Sequence, residues 1–136
     1  LVPGGILVAQ CGGAGNLQKL RVRGDRWFRG PKFARYFEGW DGPWEFADAE
    51  TTAERLKRAG FVDIETSLLD APTPFETDDE YRAFLAQVVF ATYLDRIPNE
   101  GDRAEVLDVL VDAARNDSPR RTIDYVRLNL CAHRPS

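Results

Sequence analysis

An unbroken apolar run, Ile6-Leu7-Val8-Ala9, sits inside the glycine-bounded segment Gly5 to Gly12. Continuous rather than alternating apolarity predicts a strand covered on both faces, as in a parallel sheet flanked by helices. A short helix is expected to start near Asn16, and another over Pro31 to Glu38 with proline at its first position. Between Glu38 and Trp44 the chain reads as a turn-rich aromatic segment. Helical spacing is clearest over Ala49 to Ala59, where Ala49, Ala53, Leu56 and Gly60 share one face. Asp48 is placed to cap that helix and Gly60 to end it. From Phe61 to Leu69, Val62, Ile64, Thr66 and Leu68 alternate with Asp63, Glu65 and Ser67, the pattern of a half-exposed strand at a sheet edge. Two helices follow, Asp78 to Arg96 and Glu100 to Arg115, separated by Ile97-Pro98-Asn99. In the first, Tyr81, Phe84, Leu85, Val88, Val89 and Leu94 make a wide apolar face. Thr122 to Arg134 alternates again and closes the chain as a third strand. The order of elements is that of an α/β protein.

Composition narrows the function classes. The chain has 136 residues, 43% of them hydrophobic and 29% charged, which suits one globular domain. A net charge of −4 argues against a general nucleic-acid or anionic-membrane binder. No apolar run is long enough to span a bilayer. Two cysteines and no recognisable signal peptide point to a reduced, cytoplasmic setting. There is no methionine, and the chain opens on a Pro-Gly-Gly turn, so it is expected to be a piece of something longer.

The candidate chemistry is sparse. Cys11-Gly12-Gly13-Ala14-Gly15-Asn16 follows a strand and precedes a helix. It lacks the third glycine of a dinucleotide loop and the lysine of a P-loop, so a plain strand-to-helix turn accounts for it better than a nucleotide loop. His133, the one histidine, stands near Cys131 without the spacing of a zinc site, and no metal is expected. Lys19, Arg21, Arg23, Arg26, Arg29, Lys32 and Arg35 face a single Asp25 in the same stretch, with Trp27, Phe28 and Phe33 interleaved. This stretch suits recognition of an anionic group, or a solvated face, or a partner for the acidic helices after residue 76. Tyr36, Phe37, Trp40 and Trp44 suit either the wall of a small-molecule pocket or a satellite core cluster.

Taken in order, several segments resemble one family. Leu1-Val2-Pro3-Gly4-Gly5 before an apolar strand looks like the turn that enters the fifth strand of class I S-adenosylmethionine-dependent methyltransferases. Ala53-Glu54-Arg55-Leu56-Lys57-Arg58-Ala59-Gly60-Phe61 resembles the end of the helix before their sixth strand. Gln10-Cys11-Gly12-Gly13-Ala14-Gly15-Asn16, Phe37-Glu38-Gly39-Trp40 with Pro43-Trp44, and Asp124-Tyr125-Val126-Arg127-Leu128-Asn129 are similar to trans-aconitate methyltransferase-like members. The family's glycine-rich first loop, second strand and fourth strand have no counterpart here.

The resemblance implies the C-terminal half of a Rossmann-like methyltransferase sheet: three strands, the last antiparallel and between the other two. Residues 1–136 would form a single partial domain, with cap-like insertions at about 16–47 and 71–118. It further implies methyl transfer from S-adenosylmethionine to a small-molecule acceptor, carboxylates included, by the full-length parent, with the isolated chain inactive. Ligands bind beyond the carboxyl ends of parallel strands. That rule puts Gln10 and Asn16 on the substrate side, with Tyr36, Trp40, Trp44 and Tyr125 as further substrate-side candidates and Gly12 and Gly13 as weak cofactor contacts. An edge of the first strand without its fourth-strand neighbour is expected to pair with a second copy as a homodimer. A self-associating, non-catalytic half-domain and a cofactor-free α+β ligand-binding module are the competing readings. Cys11 and Cys131 are expected at opposite ends of neighbouring strands, some six residues apart, and so unbridged.

Overall fold

The computed structural model describes residues 1–136 and shows an α/β fold. Its chain divides into two compact units, one of Leu1–Leu17, Glu45–Pro72 and Asp124–Ser136, the other of Gln18–Trp44 and Thr73–Ile123. No helix is long and apolar enough to cross a membrane.

The first unit is a three-stranded antiparallel sheet with one helix. Strands β1 (Ile6–Gly12), β2 (Val62–Asp70) and β5 (Val126–His133) lie in the order β1-β5-β2, so the last strand is central. Helix α2 (Ala49–Arg58) packs against β2. Its start is fixed by Asp48, whose Oδ1 accepts from the Thr51 amide at 2.6 Å; that bond also holds the Asp48 carboxyl below its ordinary pKa. Its end is a Schellman turn: Phe61 N–H reaches Leu56 O and Gly60 N–H reaches Lys57 O. Gly60 takes the φ of +86° that this turn demands. Thr66 donates to Ala49 O at 2.8 Å, which sets α2 over the face carrying Leu128, Leu130 and Ala132.

The other sheet face is bare, and here the first-strand expectation is corrected. Val8 is 74% and Ile6 56% exposed, so β1 is not covered on both faces. It pairs antiparallel with β5 and has no partner on its other edge. Its unbroken apolarity reflects that open face and edge. Cysteine geometry is also corrected. Cys11 lies opposite Leu128 and Val8 opposite Cys131, so the offset is three residues rather than six. Three residues still separate the two by ~10 Å along the strand, and an odd offset puts them on opposite faces. Both cysteines are free in the structure. A thiol titration under non-reducing, denaturing conditions is expected to find two per chain; a value of zero would contradict this register.

The second unit is mainly helical. It contains α1 (Gln18–Phe28), a 3₁₀ turn (Ala34–Tyr36), α3 (Asp78–Phe84), a π-helical segment (Leu85–Val89), α4 (Ala91–Leu94) and α5 (Glu100–Arg115). A short antiparallel pair of two-residue strands, β3 (Thr73–Pro74) and β4 (Thr122–Ile123), completes it. Phe28, Leu20, Tyr81, Leu85, Phe90, Ile97, Val106 and Leu110 are its buried core. Thr77 and Glu80 form a reciprocal capping box at α3, and Asn99 caps α5.

Three expected elements differ. The Pro31–Glu38 helix is only the short 3₁₀ turn, because Tyr36 N–H and Phe37 N–H bond three residues back while Phe33 and Phe37 are drawn into the core. The Asp78–Arg96 helix contains the π segment, closed by Phe90 N–H on Leu85 O. The extra residue shifts the buried positions from 81, 85 and 89 to 90, 93, 94 and 97, and leaves Val88, expected on the apolar face, 59% exposed. The last strand is broken at Asp124–Tyr125, so its first two residues pair with β3 and the rest with β1 and β2.

Two carboxylates tie this unit together. Asp117 accepts both terminal nitrogens of Arg23 at 2.9 Å and faces Lys19 at 3.0 Å. Asp78 accepts from Arg115 and Arg121. Hydrogen bonds from these cations hold both carboxyls below the ordinary aspartate value of 3.8. Their contribution is therefore fully present above that value and is lost as pH falls through the lower, folded value. Thermal melts are expected to show a decline below about pH 4, and Asp117→Asn should flatten that decline. A wild-type melt unchanged down to pH 2 would contradict it.

Candidate functional site

At the end of β1 the chain turns through Gly12-Gly13-Ala14-Gly15-Asn16. Gly13 N–H bonds Val126 O, Ala14 N–H bonds Ala47 O and Asn16 N–H bonds Gly13 O. The buried Asn16 side chain accepts from Val126 N–H at 2.8 Å. Two of these bonds, from Gly13 N–H and to the Asn16 side chain, fix the loop to Val126 at the start of β5; the Ala14 bond ties it to the segment before α2, and the Asn16 N–H bond closes the loop on itself. A Cβ at Gly12 would stand 2.6 Å from the Asn16 amide and 2.8 Å from the Phe46 ring; at Gly13 it would stand 2.4 Å from Leu68. Internal packing alone thus requires glycine at both positions. With that space filled and the Gly13, Ala14 and Asn16 amides engaged, the loop is held by its own packing and hydrogen bonds.

Gln10 lies two residues earlier, on the bare sheet face, where its amide donates to Asn129 Oδ1 at 2.7 Å. Ser67 is in register with both. Gln10, Asn129, Ser67, Val8, Glu65 and Cys131 line a shallow depression of ≈ 680 Å³. Tyr125 stands just before β5 with the Arg127 guanidinium 4.1 Å from its ring centroid, and burial raises its phenol pKa. Of the expected site residues in this unit, Gly12, Gly13, Asn16 and Tyr125 gather where β1 ends and β5 begins; Gln10 belongs to the sheet face. No group of three or more His, Cys, Asp or Glu side chains is placed to hold a metal ion.

The second unit holds two of the other expected residues, Trp40 and Trp44, against one that was not among them, Tyr93. Its ring centroid lies 4.7 Å from Trp40, 4.8 Å from Phe28, 5.5 Å from Trp44 and from Phe90, and 5.7 Å from Phe37. Burial, then the Asp25 charge, raises the Tyr93 pKa. The spacing of 90, 93, 94 and 97 is the helical signal that marks Tyr93 in the sequence. Tyr36 is set apart from this cluster: its hydroxyl accepts from Arg35 at 2.6 Å and its carbonyl from Arg96 at 2.8 Å.

Arginines cover the aromatic segment. Arg96 lies 4.7 Å over Trp40, Arg21 5.8 Å over Trp44 and Arg35 4.7 Å over Tyr36. Arg29 donates to Trp40 O at 3.3 Å. The basic stretch is therefore divided in its uses. Lys19, Arg23 and Lys32 pair with acids of the second unit, Asp117, Asp102 and Glu105, whereas Arg21 and Arg35 lie over aromatic rings and Arg29 reaches the Trp40 carbonyl and Asp25. Arg29, Ala34, Arg35, Phe37, Glu38 and Gly39 line a cleft of ≈ 390 Å³, within the usual size of small-ligand sites. No protein-family model and no curated protein matches this chain.

Proposed function

We propose that the chain belongs to an enzyme that transfers a methyl group from S-adenosylmethionine to a small acceptor, with carboxylates in the acceptor class. The observation that carries this reading is the position of β5, antiparallel between β1 and β2, the arrangement implied by the family resemblance for the last three strands. The acceptor side is assigned to the arginine–aromatic segment around Tyr36, Trp40 and Trp44. Methyl transfer depends mainly on in-line positioning of donor and nucleophile. A carboxylate acceptor is already ionised, so a guanidinium that orients it contributes more than a base. Bidentate arginine pairing suits that task. The 136 residues alone are expected to be inactive, since the family's glycine-rich first loop, which would cradle the cofactor, has no counterpart among them. Titration of S-adenosylhomocysteine into the product of the complete coding sequence tests the reading; saturable binding supports it and its absence removes it.

A second reading, a self-associating module without catalysis, is favoured by the unpaired edge of β1. Both readings allow the same edge to pair, so cofactor binding decides between them.

A further inference from the structure

We propose that the cleft between Arg29, Arg35 and Glu38 binds a small zwitterion, its carboxylate on the two guanidiniums and its ammonium on Glu38. The inference rests on reading the 36–44 segment as the acceptor side, and adds the charge pattern of what is accepted.

The cleft stands on fixed backbone. Phe28, Phe33 and Phe37 are buried, and the charged side chains emerge directly after or two residues beyond these anchors. Arg29 N–H bonds Asp25 O, Ala34 N–H bonds Gly30 O, and Phe37 N–H bonds Ala34 O, each at 2.9 Å. Both guanidiniums are oriented but not used up. Arg35 gives one bond to the Tyr36 hydroxyl and lies over its ring. Arg29 gives one long bond to Trp40 O and one, at 3.4 Å, to Asp25. Each guanidinium carries five N–H donors, so a planar fork remains for a carboxylate.

Glu38 decides the rest. It is exposed and makes no hydrogen bond or ion pair in the structure, yet it lines the same cleft as both arginines. A second carboxylate on the ligand would meet this like charge, whereas an ammonium would be attracted to it. Ala34 and Phe37 also line the cleft, and the exposed Ala34 offers apolar surface for a short methylene chain. Asp25 beside Arg29 further reduces the cationic excess, which disfavours polyanions.

The test compares three probes of similar length by calorimetric or NMR titration into the 136-residue chain: 4-aminobutanoate, butanoate and glutarate. The expected order is 4-aminobutanoate first, with glutarate weaker by about fivefold or more. Glu38→Gln should bring 4-aminobutanoate down to butanoate and raise glutarate. Arg35→Ala should weaken all three, with the far-UV spectrum unchanged because the side chain is exposed. Equal or tighter glutarate binding, no saturable binding, or an order indifferent to Glu38→Gln would overturn the inference. Cofactor binding by the complete product without this selectivity would sink the inference and leave methyl transfer standing. The selectivity without cofactor binding would keep the zwitterion site and remove the methyltransferase reading.

Discussion

Tyr93→Ala is expected to destabilise the second unit by about 3–5 kcal/mol, enough to unfold most of it in a marginally stable chain. The tyrosine is almost wholly buried and is ringed by Phe28, Phe37, Trp40, Trp44 and Phe90. Truncation leaves a cavity among rigid rings that cannot close without moving α1, α4 and the 36–44 segment together. Tyr93→Phe keeps each ring contact and should cost no more than about 1.5 kcal/mol. Urea unfolding followed by near-ultraviolet dichroism separates the two variants. Equal stabilities would mean that the cluster is not the core of this unit.

Assembly through β1 is the second large effect expected. Ile6 to Gly12 contains no charge or proline, the usual devices that protect an edge strand. Its neighbour β5 occupies one side only. An antiparallel pair of β1 strands centred on Ala9 would oppose Val8 to Gln10 and Leu7 to Cys11, bringing no like charges together. Sedimentation at low micromolar concentration is expected to show a dimer or larger species, and Val8→Lys to shift it toward monomer. A wild-type monomer that stays folded and soluble would remove the assembly claim.

What the sequence made legible was local where side chains act locally. Asp48 and Gly60 bracket α2 because a cap and a left-handed residue depend on a few neighbouring atoms. The alternation of β2 likewise predicted its edge position. The π segment was not legible, since inserting one residue leaves the composition of the helix unchanged while rotating Val88 outward and Tyr93 inward. For β1, unbroken apolarity cannot distinguish a strand buried on both faces from one with an open face. The aromatic segment was read as pocket wall or satellite core. The structure makes much of it core, with Trp40 and Trp44 against Tyr93, yet keeps both tryptophans and Tyr36 partly exposed beneath arginines. Loop Gly12–Asn16 was visible as a motif, but the demand for glycine from Leu68, Phe46 and Asn16 depends on residues remote in the chain or on a turn not yet formed.

Methyl transfer is tested most directly by a labelling experiment. The product of the complete coding sequence and the 136-residue chain are incubated separately with methyl-labelled S-adenosylmethionine and a panel of small carboxylates and amino acids, and the label is followed by mass spectrometry. Label is expected in a small acceptor with the complete product and in none with the chain alone. Turnover by the 136-residue chain free of longer protein, or no transfer to any acceptor by a complete product that is folded, would contradict the account.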